Sequence, residues 1–89
     1  MNPNAELIKI IPNPAHDQFT LRIETNNAIP NLVIKVVDLK GGAVLQFNQS
    51  KASGAQNFDI PVYRLSKGKY IVTVYDDSHL LASRPFVKL

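Results

Sequence analysis

Between Asp17 and Thr25 apolar and polar side chains alternate without a fault, with Phe19, Leu21 and Ile23 in one register and Gln18, Thr20, Arg22 and Glu24 in the other. A strand turns successive side chains to opposite faces, so a period of two describes a ribbon with one face buried and one face wet. A helical stripe, which needs apolar residues three and four apart, does not fit it. The same alternation recurs at Leu32, Ile34 and Val36, at Phe58 and Ile60, and at Tyr70, Val72 and Val74. Weaker strands are predicted at Glu6–Ile10, Ala43–Asn48 and Leu80–Val87. The last carries Pro85, which has no N–H to give a ladder and therefore belongs on an edge or at a bulge. Between these segments lie turn signals at short intervals: Pro12-Asn13-Pro14, Asn26-Asn27 followed by Pro30, Lys40-Gly41-Gly42, Ser53-Gly54, Ser66-Lys67-Gly68 and Asp76-Asp77-Ser78. About seven short strands with frequent turns specify an all-β antiparallel sandwich or barrel.

The chain of 89 residues holds one hydrophobic core and leaves no room for a cleft between two domains. At 45% hydrophobic and 19% charged it is too apolar for a disordered tail. No apolar run approaches the ~20 residues of a membrane-spanning helix, so membrane insertion is not expected. The absence of cysteine removes disulfides, thiol nucleophiles and cysteine-based zinc sites together. The net charge of +3 is spread singly over positions such as Lys9, Arg22, Lys35, Lys51, Arg64, Lys69 and Lys88, interrupted by Glu6, Glu24, Asp38 and Asp59. Phosphate-backbone affinity depends on many cations acting together, so these read as solvated charges and nucleic acid is not an expected partner. Residues 6–89 form the expected domain and Met1–Ala5 a linker remnant. With no basic stretch followed by an apolar one at its start, the chain is expected to carry no leader of its own. It is then either cytoplasmic or a piece of a longer exported polypeptide.

Catalytic chemistry is hard to assemble from these residues. His16 and His79 fall in predicted loops and no Gly-x-Ser-x-Gly turn exists, so a nucleophile with a positioned base is missing and no enzymatic activity is expected. His16, Asp17, Asp76, Asp77 and His79 crowd two loops that a sandwich is able to bring to one end, which is the best metal reading available. Turn formation explains Asp76-Asp77-Ser78 more simply, and no metal or cofactor is expected. Gly41-Gly42 stands alone as a hairpin turn and makes no phosphate loop. Asn48-Gln49-Ser50 fits the N-glycosylation pattern, a short match that arises often by chance. Sugar-binding sandwiches present aromatic platforms, and here there is no tryptophan. Tyr70 alternates with buried valines, leaving Tyr63 and Tyr75 as surface aromatics for an alternative carbohydrate-binding or adhesion module.

Four segments, in order, are more specific: Ile10-Ile11-Pro12-Asn13-Pro14, then Val36-Val37-Asp38-Leu39-Lys40-Gly41, then Leu65-Ser66-Lys67-Gly68-Lys69-Tyr70-Ile71-Val72, and Phe86-Val87-Lys88-Leu89 at the end. This arrangement covers nearly the whole chain and resembles the type A C-terminal sorting domains of the type IX secretion system of Bacteroidetes. The resemblance implies an immunoglobulin-like antiparallel β-sandwich at the end of a larger exported enzyme or adhesin. It also implies a non-catalytic role: routing that cargo through the periplasm and across the outer membrane to the cell surface or beyond. The implied partners are outer-membrane components of the secretion system and a surface sortase, of which the domain is the substrate. Cleavage would fall in the preceding linker, and the module is expected to be monomeric.

Each motif also has a local physical reading. Pro12 and Pro14 stiffen a corner around Asn13, and Gly41 permits a tight hairpin. Leu65, Gly68 and Tyr70 resemble a tyrosine corner, in which the ring enters the core while the hydroxyl reaches back to upstream backbone. Phe86, Val87, Lys88 and Leu89 are the expected recognition element, offering an open strand edge and a charged tip to a partner. Lys88 matches the basic residue at the family's terminus. The sequence departs from the family pattern at Pro85, where a lysine is common, with Arg84 beside it, and at Gly42, where a lysine commonly follows the turn glycine.

Overall fold

Each alternating segment has one apolar face to bury, and two sheets pressed face to face bury them all at once. The computed structural model describes residues 7–89, so the expected linker Met1–Ala5, together with Glu6, lies outside the described residues. It contains seven strands: β1 Ile8–Ile11, β2 Gln18–Thr25, β3 Ile29–Asp38, β4 Ala43–Lys51, β5 Gly54–Pro61, β6 Gly68–Asp76 and β7 His79–Lys88. They form a three-stranded sheet in the order β1-β2-β5 and a four-stranded sheet in the order β4-β3-β6-β7, with antiparallel pairing throughout both ladders. No helix forms among the described residues.

The inward registers are those the alternation marks. Phe19, Leu21 and Ile23 from β2 meet Leu32, Ile34 and Val36 from β3 and Tyr70, Val72 and Val74 from β6, with Ile8, Ile60 and Phe86 closing the core. Phe19 and Phe86 lie with ring centroids 4.8 Å apart and planes inclined at 49°, an off-parallel contact that joins the two sheets. β3 begins three residues earlier than its alternation suggests, because Pro30 is accommodated at a register irregularity between Ile29 and Leu32. A proline with no N–H is tolerated at such a bulge and not in a regular central ladder.

The turns are held by their own polar groups. At the β3–β4 hairpin the Asp38 carboxylate accepts from the backbone N–H of Lys40 at 2.9 Å and of Gly42 at 3.0 Å. Gly41 adopts φ +93°, a region that a β-carbon penalises. Ahead of β6 the Tyr70 hydroxyl donates to the Ser66 carbonyl at 2.6 Å while its ring lies 6.2 Å from that of Phe86, which is a tyrosine corner.

Lys51 departs from the expectation of scattered solvated charge. It is only 3% exposed and its ammonium donates to Thr25 Oγ1 at 2.7 Å, the Ala52 carbonyl at 2.7 Å and the Gly54 carbonyl at 2.6 Å. All three N–H bonds are used, so burial leaves no orphan donor. Burial lowers its pKa from the ordinary 10.5, and Glu24 acts in the opposite direction. The amine ties the end of β4, in one sheet, to the ends of β2 and β5 in the other.

Candidate recognition site at the terminal strand

β7 pairs with β6 on one side and lies at the edge of its sheet. An edge strand normally shows a row of unsatisfied N–H and C=O groups. Here the row is covered over its last five residues by the corner that follows β1. Asn13 acts through its side-chain amide as a substitute peptide group: Nδ2 donates to the Pro85 carbonyl at 3.0 Å, and Oδ1 accepts from the Val87 N–H at 3.1 Å. Two residues on, the Ala15 N–H donates to the Val87 carbonyl at 3.1 Å, and the Ala15 carbonyl accepts from the Leu89 N–H at 2.9 Å. Ala15 thus makes a parallel bridge to Lys88. The peptide bonds before Pro12 and Pro14 are both cis.

The expectation of an open terminal edge is therefore corrected. The outward backbone groups of Pro85, Val87 and Leu89 already have partners, and Pro85 sits with its missing N–H on the outer side, where no ladder bond is lost. The four terminal residues also differ in what they present. Phe86 is wholly buried in the core, Val87 is half-buried on the outer face, Lys88 is 9% exposed, and Leu89 is 43% exposed. The charged tip is folded back, with Lys88 Nζ donating to the Leu89 carbonyl at 2.8 Å. What reaches solvent is a composite of Asn13, Val87 and Leu89.

The loop residues weighed for metal binding are not brought together. The β6–β7 ladder runs from Gly68 opposite Lys88 to Asp76 opposite His79, a span of about 26 Å at roughly 3.3 Å per residue. His16 and Asp17 follow Ala15 at the Lys88 end, whereas Asp76, Asp77 and His79 sit at the other. Asp77 holds the turn with φ +57° and accepts from Asn31 Nδ2 at 2.9 Å. Among the described residues no three metal-binding side chains cluster. The two surface tyrosines are separated in the same way. Tyr63, 60% exposed, follows Val62 at the Asp17 end beneath the Arg64 guanidinium. Tyr75 is half-buried near the opposite end, with Lys35 Nζ 5.0 Å from its ring centre. They make no shared platform for a sugar chain. Asn48 lies within β4, its amide hydrogen-bonded to Asn31 Oδ1 at 3.5 Å.

The family model described as "Secretion system C-terminal sorting domain" matches residues 9–88. The chain belongs to that family. It is a type IX secretion sorting domain, a family that implies a Bacteroidetes origin. A crystal structure of an immunoglobulin-like protein from Pseudomonas aeruginosa is similar in fold, with a TM-score of 0.52 at 14% identity, covering 81% of this chain and 71% of that one. At that identity the likeness concerns the sandwich alone, and it agrees with the seven-stranded immunoglobulin-like architecture of the sorting domain. No curated protein matches the chain.

The clamp joins two of the four motifs that run along the sorting domain. Asn13, from the first, holds Val87, from the last, across 74 positions of sequence. The other two act at the same end of the sandwich: the β3–β4 hairpin capped by Asp38, and the Tyr70 corner, whose ring packs on Phe86. Pro12, Asn13 and Pro14 thus belong to the corner against the terminal strand, and Leu65, Gly68 and Tyr70 to the approach and start of β6 beside it, whereas Gly41 turns the β3–β4 hairpin, which β6 separates from β7. Asp38, within the second motif, and Ala15 complete these structures; the sequence marks Gly41 as the turn residue and gives neither the capping role of Asp38 nor the bridge of Ala15. Asp38 is an Asx-type turn residue ahead of Gly41, whereas Ala15 bonds through its backbone with its small side chain buried in the core, and a lone alanine carries no sequence mark of either role.

Proposed function

We propose that this sorting domain, residues 6–89, is the non-catalytic routing module of a larger exported protein, carried through the periplasm and across the outer membrane by the type IX system. The observation that carries this reading is the family match over nearly the whole chain. Any enzymatic activity of the parent then belongs to its upstream part. The domain acts as a ligand for outer-membrane components of the secretion system, as a monomer, and as a substrate for a surface sortase that cuts in the preceding linker.

Recognition falls on the terminal segment Phe86–Leu89 as presented by the Asn13 clamp. Phe86 serves as the buried anchor, and Val87, Lys88 and Leu89 are held in a fixed extended form. The ordered terminus supports this reading in energetic terms: a segment already fixed by four hydrogen bonds has less conformational entropy to lose when a partner binds it.

The test is a fluorescent cargo placed behind a signal peptide and ahead of this chain, expressed in a Bacteroidetes host with and without its type IX translocon. Surface-exposed fluorescence that requires both the domain and the translocon is the expected result. Periplasmic retention of a folded fusion in the competent host would overturn the reading.

A further inference from the structure

On the same side of the sandwich as β7 lies an edge strand of the other sheet. β1 is the border of the three-stranded sheet, and among the described residues no strand pairs with its outer side. The Leu7 carbonyl accepts from the Glu24 N–H at 3.0 Å, so Leu7, Lys9 and Ile11 exchange ladder bonds with β2. By the alternation of an antiparallel pair, the N–H and C=O groups of Ile8 and Ile10 point away from the sheet. They open into a groove of about 460 Å³ between β1 and β7, whose far wall is Arg84 and Pro85 and which Asn13 also lines. That volume lies within the range of ligand pockets.

Two features specify the occupant. The unpaired groups of Ile8 and Ile10 repeat at the spacing of a strand, which only an extended backbone satisfies as a set. The groove is also charged: Lys9, Arg22 and Arg84 line it against a single carboxylate, Glu24, which already lies 4.0 Å from Arg22. Lys9 and Arg22 stand opposite one another in the ladder on the outer face, while Arg84 rises from β7 in the register of the inward-facing Val72. We propose that this groove docks an extended acidic peptide segment of a partner protein. The segment adds a fourth strand to the β1-β2-β5 sheet, its backbone pairing with Ile8 and Ile10 and its carboxylates meeting Lys9, Arg22 and Arg84. Charged side chains on a strand edge also serve to prevent indiscriminate pairing. The two roles are compatible, since the cations exclude basic and purely apolar strands and admit acidic ones. The clamp residues Asn13 and Pro85 border one end of this groove, yet the proposal does not depend on the sorting reading: it is read as peptide binding by the purified chain, whereas sorting is read as delivery in cells.

The probes are two capped heptapeptides, Glu-Val-Glu-Val-Glu-Val-Glu and the same sequence with lysine in place of each glutamate, titrated into the isotopically labelled chain. The acidic peptide is expected to shift the amide resonances of Ile8 and Ile10, and its affinity to fall about tenfold or more with added salt, as charge-guided docking requires. Methylation of alternate peptide nitrogens should abolish the shifts. The double variant Arg22→Glu, Arg84→Glu changes two exposed side chains outside the core, and it should lose the acidic peptide and gain the lysine one. The proposal is overturned if the acidic peptide does not bind, if the two peptides bind the wild-type chain equally, or if the shifts map elsewhere.

Discussion

Replacing Asn13 by alanine deletes both side-chain hydrogen bonds that hold the last strand, the one given to the Pro85 carbonyl and the one taken from the Val87 N–H. Each bond of this kind contributes about 0.5–1.5 kcal/mol net, and because both are solvent-accessible the lower half of the combined range applies, about 1–2 kcal/mol. In a domain of this size that lowers the melting temperature by about 5–15 °C. Asn13→Asp separates the two bonds. The carboxylate still accepts from Val87 but gives nothing to Pro85, so the Val87 amide stays protected while part of the stability is lost. Urea denaturation gives the global effect, and hydrogen exchange at the Val87 amide gives the local one. In Asn13→Ala the Val87 amide is expected to exchange at least about tenfold faster, the equivalent of ~1.4 kcal/mol. An alanine variant with stability within about 0.3 kcal/mol of wild type and unchanged exchange at Val87 would refute the clamp as a source of order at the terminus.

Other substitutions separate the supports of this end from the core and from the opposite corner. Phe86→Ala removes a fully buried ring from contact with Phe19 and Tyr70 and should cost about 3–5 kcal/mol, read as a fall in the denaturation midpoint with little change in its slope. Tyr70→Phe keeps the ring and loses the bond to Ser66, for an expected loss of about 1–2 kcal/mol by the same assay. Lys51→Met keeps the aliphatic stem but leaves Thr25, Ala52 and Gly54 without their shared donor. It should destabilise the domain by about 1–3 kcal/mol and speed exchange around the β4–β5 hairpin, whereas Lys40→Met, at an exposed turn position, should change neither.

The alternation of β2 was readable because its two registers see two different solvents, core and water, and the pattern needs no distant information. β3 was readable in its middle and not at its start, because Pro30 and its neighbour Asn31 look like a loop until the bulge that accommodates them is seen. Lys51 escaped because a lone lysine near a turn signal carries no mark of burial; two of its acceptors, the Ala52 and Gly54 carbonyls, are local backbone without a side-chain signature, and the third, Thr25, is brought to it only by the fold. The same limit explains the terminal edge. Phe86–Leu89 reads as a strand end free to pair, and its partner, Asn13, is too far along the chain for any local pattern to suggest it. Whether the two histidine-bearing loops meet depends on strand register, and the ladder from Gly68–Lys88 to Asp76–His79 puts them at opposite ends.

Surface delivery by folded variants of the terminus tests most directly the claim that the secretion machinery reads the clamped strand. Cargo fusions carrying the intact domain, Asn13→Ala, Leu89→Asp and the remote control Asn57→Ala, each shown to be folded, are compared for the fraction of cargo accessible at the cell surface. The account predicts full delivery for the intact domain and for Asn57→Ala, with periplasmic accumulation of Asn13→Ala and Leu89→Asp. Delivery of both terminal variants at the intact rate would contradict it.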